Sequence, residues 1–156
     1  MAGRFYSIPI TDVAVSASQD LINITATSAM AFKLWRVELG QRTLTAWEAK
    51  TLRIIRFPAT VTAGSGGTTA TINKMNFGDP TATVTARIND TTPMTTSGTS
   101  AVLLQREWEF LNGFIWVPMP DERPVIAPSQ GAAINLPTAP SASMTVSGFA
   151  LIEELF

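Results

Sequence analysis

The sequence contains no histidine and no cysteine. The first absence removes the side chain that serves as general base and proton shuttle near neutral pH. The second removes the thiolate nucleophile, and together they take away the commonest transition-metal ligands. Disulfides are excluded too, so the fold must stand on packing, and nothing requires an oxidising compartment. Charge is also scarce: 15% of residues are charged against 46% hydrophobic, and the net charge is -1. That balance offers no basic face for phosphate neutralisation, which argues against nucleic acid as the main partner. No apolar run reaches the roughly 18–20 residues that would span a bilayer, so no membrane partner is expected. The opening Met1-Ala2-Gly3-Arg4-Phe5-Tyr6 lacks the apolar stretch of a signal peptide, which points to a cytosolic origin. Two Asn-x-Thr sequons, at Asn23 and Asn89, are then chance occurrences.

What is present is a Thr-rich series of short apolar runs punctuated by glycine and proline. At 156 residues the chain fits one domain with a sizeable core. Residues 1–18 read as an N-terminal arm or edge strand, because Phe5, Ile8, Ile10, Val13 and Val15 alternate in part and Pro9 interrupts them. Residues 19–156 read as a single β domain. Strand-like runs cover 21–25, 32–39, 52–62 (broken by Pro58), 71–77, 83–89, 101–110, 114–117, 132–136 and 143–153. Thr45 followed by Glu48 has the form of a capping box and marks the one plausible helical turn. Asn112-Gly113 is the strongest hairpin signal and is expected to join the runs on either side of it. Residues 63–67, Ala-Gly-Ser-Gly-Gly, read as a flexible loop, and the Pro-rich residues 118–124 read as an extended segment outside any central strand. So many short strands without alternating helices predict an all-β, two-sheet sandwich, jelly-roll-like, with a closed barrel as the runner-up.

Few residue sets suggest chemistry. Glu107 and Glu109 would share one strand face, as a carboxylate pair for glycoside hydrolysis could, but a polar outer face beside Trp108 and Phe110 explains them as well. Asp121 and Glu122, with Asp12, Asp79 or Asp90, could supply oxygen ligands to calcium, yet they follow no calcium-loop pattern. Glycines 64–67 precede no Gly-Lys-Ser/Thr and open no helix, so they are not a phosphate loop. Trp35, Trp47, Trp108 and Trp116 could stack on sugars, although core or interface burial is the usual fate of tryptophan. Lys33, Arg36, Arg53 and Arg56 form a modest basic set, but Arg53 and Arg56 would point to opposite faces of a strand. Catalytic residues, metal ligands and cofactors are therefore not assigned.

Several stretches resemble a family of small virion proteins of tailed bacteriophages. They are Gly3-Arg4-Phe5-Tyr6-Ser7-Ile8-Pro9-Ile10, Val13-Ala14-Val15-Ser16 with Gln19-Asp20-Leu21, and Leu52-Arg53-Ile54-Ile55-Arg56. Gly64-Ser65-Gly66-Gly67, Ala86-Arg87-Ile88-Asn89-Asp90-Thr91-Thr92, and Glu122-Arg123-Pro124 with Ser129-Gln130-Gly131 continue the likeness over most of the chain. The resemblance implies a capsid decoration (cement) protein: a non-enzymatic, compact β-sandwich that assembles as a homotrimer on the surface of the phage head. Its partners would be the major capsid protein and further copies of itself, and its location the virion, after synthesis in the host cytoplasm. Within that reading, Arg4, Phe5, Tyr6 and Ile8 of the arm and Pro118, Met119, Pro120 and Arg123 of the Pro-rich segment are the expected subunit or capsid contacts. Both segments look extended, partly apolar and unsuited to a core. The alternatives are a receptor- or glycan-binding module of a tail or fibre, which exposed tryptophans would favour, and a hydrolase using Glu107 and Glu109.

Overall fold

A computed structural model describes residues 3–155; Met1, Ala2 and Phe156, including the first two positions of the expected arm, lie outside the described residues. The strands in chain order are β1 (Arg4–Val15), β2 (Gln19–Thr25), β3 (Ala31–Gln41), β4 (Ala49–Phe57), β5 (Val61–Thr62), β6 (Thr68–Thr69) and β7 (Asn73–Lys74). They continue as β8 (Thr85–Asp90), β9 (Thr95–Thr96), β10 (Ala101–Glu109), β11 (Phe114–Trp116), β12 (Val125–Ile126), β13 (Gly131–Leu136) and β14 (Met144–Leu155). Two antiparallel six-stranded sheets result. The first runs β11-β3-β14-β1-β7, with β12 also on β3, and the second runs β10-β4-β13-β2-β8-β6. β5 and β9 form a separate small ribbon. The expected all-β sandwich is the observed architecture.

Period-2 alternation builds the core. Tyr6, Ile8 and Ile10 of β1, Leu34 and Val37 of β3, and Val146, Ala150 and Ile152 of β14 point inward from the first sheet. Leu52 and Ile54 of β4, Ile22 and Ile24 of β2, and Ile134 of β13 meet them from the second. Each fully buried aliphatic side chain contributes about 1.5–3 kcal/mol relative to exposure. Residues 4–15 are therefore no detached arm. β1 pairs with β14 along nearly its whole length and with β7 only at Tyr6 and Ser7, so it lies next to the sheet edge. Pro9 is tolerated because the β7 side of the strand needs no N–H at that point.

The Asn112-Gly113 expectation fails. β10 pairs with β4 in the second sheet and β11 with β3 in the first, so the corner carries the chain across the end of the sandwich. Burial overrides the local turn preference: Trp108, Phe110 and Phe114 all enter the core, and Trp108 packs edge-on to Phe110 at 4.9 Å. Trp108 Nε1 donates to Asn112 O at 3.0 Å and holds the corner. The expected helical turn at Thr45 is absent as well. Glu48 accepts from Ser141 N and Oγ instead of capping a helix, and Lys50 pairs with it at 3.2 Å. The one helical turn among the described residues is a 3-10 turn at Pro120–Glu122.

The two sheets differ in their outer faces. Residues 58–67 and 91–97 fold over the outside of the second sheet, where Phe57, Met94 and Ala133 form a small second core. Beside it lies a buried polar layer. Asp90 accepts from Asn23 Nδ2, Arg87 Nε, Arg87 Nη2 and Gly67 N, each at 2.9 Å. Asp20, its cross-strand neighbour, accepts from Met94 N at 2.7 Å and Asn135 Nδ2 at 2.8 Å. The loop at 63–67 is therefore pinned rather than flexible. Gly66 adopts φ +92°, and a Cβ on Gly67 would collide with the carbonyl of Ile88.

Burial pushes the Asp20 carboxyl above its ordinary value, and the nearby Asp90 charge adds to this. Burial also acts upward on Asp90, but its bonds from Arg87, Asn23 and Gly67 N outweigh it and hold the carboxyl low. The two act oppositely on stability. Asp90 contributes stability above the unfolded carboxylate value, lost as pH falls through its depressed folded pKa. Asp20 costs stability as pH rises from the unfolded value through its raised folded pKa. The stability of Asp20→Asn relative to wild type should therefore increase with pH across that upper window, measured as Tm against pH. Asp90→Ala, which leaves buried donors without an acceptor, should cost about 2–3 kcal/mol in urea unfolding at neutral pH. Removal of residues 2–10 deletes half of a core strand and should abolish the cooperative transition altogether.

Candidate interaction surface

One lateral edge of the sandwich is made by β10 of the second sheet and by β11 and β12 of the first. Among the described residues β10 has no partner on its outer side, and β11 and β12 cover β3 only at residues 37–39 and 32–33. Between them, Pro118, Pro120 and Pro124 lack the N–H groups needed to continue the ladder, so the chain leaves the sheet and returns at Leu34 N, which donates to Pro124 O at 3.0 Å. Of the ten exposed large apolar side chains among the described residues, seven fall on this edge: Val102, Leu103, Leu111, Ile115, Val117, Met119 and Val125. Concentration of that kind marks a contact surface, whereas scattered exposed apolar residues need no explanation. A cleft of about 350 Å³ opens there, lined by Leu103, Leu104, Trp116, Pro118 and Pro124, with Arg56 and Glu122 as its charged members.

The expected contact residues divide. Tyr6 and Ile8 are fully buried in the core and cannot touch a partner. Tyr6 Oη donates to Pro80 O at 3.0 Å, and burial, followed by the charge of Glu154, raises the hydroxyl pKa. Arg4 lies opposite Glu154 in the β1–β14 register. Glu154 is itself buried and accepts from Thr83 N, Thr83 Oγ1 and Val84 N, which fastens residues 83–84 to the sandwich. This end of β1 is structural because Tyr6, together with Glu154 on the neighbouring β14, anchors the segment at residues 80–84. Pro118 is also buried, as part of the cleft, whereas Met119 and Pro120 are exposed.

Phe5 and Arg123, far apart in sequence, meet at Trp35. Phe5 packs edge-on to the indole at 4.8 Å, and the Arg123 guanidinium lies 3.3 Å from the ring centroid. Trp35 Nε1 donates to Glu153 Oε2 at 2.8 Å. The two segments expected to make contacts thus share one cluster on the open outer face of the first sheet, where Arg36 also lies over Phe149 at 5.7 Å.

The other candidate chemistries do not converge. Glu107 accepts from Thr51 Oγ1 at 2.8 Å and Glu109 from Asn112 Nδ2 at 2.7 Å, so each carboxylate is tied to a local partner. Asp12 pairs with Arg42 at 3.0 Å, and its bonds from Arg42 and Ser147 lower its pKa. Among the described residues, no three metal-ligating side chains cluster. The tryptophans are dispersed: Trp108 in the core, Trp35 beneath Arg123, Trp116 in the cleft, and Trp47 exposed in the β3–β4 connection. Arg53 donates to Gln105 on the outer face of the second sheet while Arg56 turns into the cleft, so the basic residues form no stripe. The expectation of opposite faces for Arg53 and Arg56 holds.

Three features escaped the sequence reading. Asp20 and Asp90 look like ordinary loop-flanking acids, and only the folding of 58–67 and 91–97 over them makes them buried. The clustering of Val102, Leu103, Ile115 and Val125 depends on two sheets ending at one edge. Phe77, read as the end of a strand over 71–77, sits in a loop after the two-residue β7, and its side chain is 100% exposed.

Arg123→Ala should remove the cation–π contact, worth about 0.5–2 kcal/mol, and loosen the Pro-rich segment without unfolding the sandwich. Urea unfolding together with amide exchange at Val125 and Ile126 checks both effects.

No protein-family model, curated protein or solved structure matches the chain.

Proposed function

We propose that this protein is a capsid decoration protein of a tailed bacteriophage, assembled as a homotrimer that binds the outside of the head and reinforces it. The observation that carries this reading is the apolar lateral edge formed by β10, β11, β12 and the Pro-rich segment. A rigid sandwich with such an edge is suited to contact with other proteins. The family resemblance in the sequence supplies the phage context. A cement protein needs no titrating or nucleophilic group; it needs a stiff core, uncharged contact surface and repetition. Repetition matters because linked contacts around a symmetry axis multiply weak individual affinities through effective concentration.

The contact residues supported within this proposal are Met119 and Pro120 at the edge, and Phe5 and Arg123 around Trp35 on the open face of the first sheet. A glycan-binding role draws support only from the exposed Trp47, since the tryptophans share no platform.

The test is the copy number of this protein in purified parent virions, by quantitative mass spectrometry against the major capsid protein. A count comparable with the shell subunit is the expected result. A handful of copies would move the protein to the tail or a vertex fibre, and absence from the virion would overturn the proposal.

A further inference from the structure

Phe77 is the most exposed of the large apolar side chains among the described residues, and the loop around it is built to keep it so. Met75 N donates to Phe5 O at 3.0 Å, and Tyr6 Oη holds Pro80 O at 3.0 Å, so both ends of the loop are fastened to β1. Inside it, Asp79 N donates to Asn76 O and Gly78 N to Asn76 Oδ1, each at 3.1 Å. The result is a rigid projection with Phe77 at its tip, wholly in solvent, and Met75 exposed beside it. An aromatic ring presented in this way on a tied loop has the form of an interface anchor, with little entropy left to lose on binding.

This projection and the cleft lie on opposite lateral edges of the same sandwich. β7 terminates the first sheet at one side, next to the β8–β6 side of the second, while β11, β12 and β10 close the other side. The two surfaces match in chemistry. The projection carries two apolar side chains between Lys74 and Asp79. The cleft has apolar walls from Leu103, Trp116, Pro118 and Pro124, with Glu122 and Arg56 at its lining. Arg56 makes no salt bridge within the chain's described residues, so its charge at the cleft lining is open to an acidic partner.

We propose that Phe77 of one copy seats in the cleft of a second copy, with Lys74 facing Glu122 and Asp79 facing Arg56. Because the contact joins unlike surfaces on opposite edges, it is head to tail, and copies linked by it close into a ring when the rotation permits. The inference deepens the decoration reading by naming the contact within the assembly, and rests on that reading only for a ring of three.

Sedimentation velocity of the full chain, free of capsids, tests it separately from location in the virion. Wild type should sediment as a closed trimer, and Phe77→Ser should weaken association about tenfold or more while leaving the far-UV circular dichroism unchanged. Lys74→Glu and Glu122→Lys should each weaken assembly, and the double variant should recover it. Because the chain has no cysteine, Phe77→Cys and Leu103→Cys chains mixed and oxidised should yield a disulfide-linked pair that neither forms alone. A wild-type monomer at about 100 µM, a symmetric dimer as the largest species, or undiminished assembly of Phe77→Ser would overturn the proposal. None of those results would alter the virion copy number, so the two readings fail independently.

Discussion

The structure depends on a pair of buried carboxylates. Asp20 and Asp90 face each other across β2 and β8 on what would otherwise be the wet side of the second sheet. Two like charges in that position are tolerable only because donors surround them: Arg87 and Asn23 on Asp90, Asn135 on Asp20, and backbone N–H groups of Gly67 and Met94 from the covering segments. Those backbone donors bind the covering segments to the sheet. A buried polar layer of this kind fixes one arrangement, because a half-satisfied version is costly. The glycines at 64–67 follow from it, since the backbone must come close enough to place Gly67 N on a carboxylate.

Covering one sheet and leaving the other open makes the molecule lopsided. Strands β2 and β13 are buried on both faces, as central layers are, whereas β1, β3 and β14 keep an outer face with half-buried Phe5, Trp35, Phe149 and Leu151. Arginines lying over Trp35 and Phe149 shield part of that face. The lateral edges are unequal as well. One is apolar and indented, and the other projects a loop tipped by Phe77. The edge strand β10 carries Arg106, Glu107 and Glu109 in its second half but no charge over Ala101–Leu104. An uncharged apolar stretch of edge is a liability for a lone sandwich and an asset for one that assembles.

Much of the fold was legible in the residues. Alternation in 83–89 placed β8 because period 2 is imposed by backbone geometry and needs no knowledge of neighbours, and the apolar runs over 32–39 and 143–153 placed β3 and β14. The Pro-rich segment could be excluded from a sheet interior for an equally local reason, the missing N–H. Of the two readings of residues 1–18, arm or edge strand, the arm does not fit the burial of Tyr6 and Ile8, and residues 4–15 form a strand beside the sheet edge, where the missing N–H of Pro9 is harmless. The hairpin at Asn112-Gly113 failed because turn preference amounts to a small local term, and burying Trp108, Phe110 and Phe114 outweighs it.

The sequence by itself determined the class of the fold, the absence of histidine and cysteine chemistry, and the segments that could form strands. All of these follow from side-chain identity and local spacing. Only the tertiary structure decided which sheet each strand joined, which acids became buried, and which apolar residues were left outside. Those outcomes depend on contacts between residues far apart in the chain. Arg123 and Phe5 meet on Trp35, and Phe77 stands opposite the cleft, because two sheets close over one core.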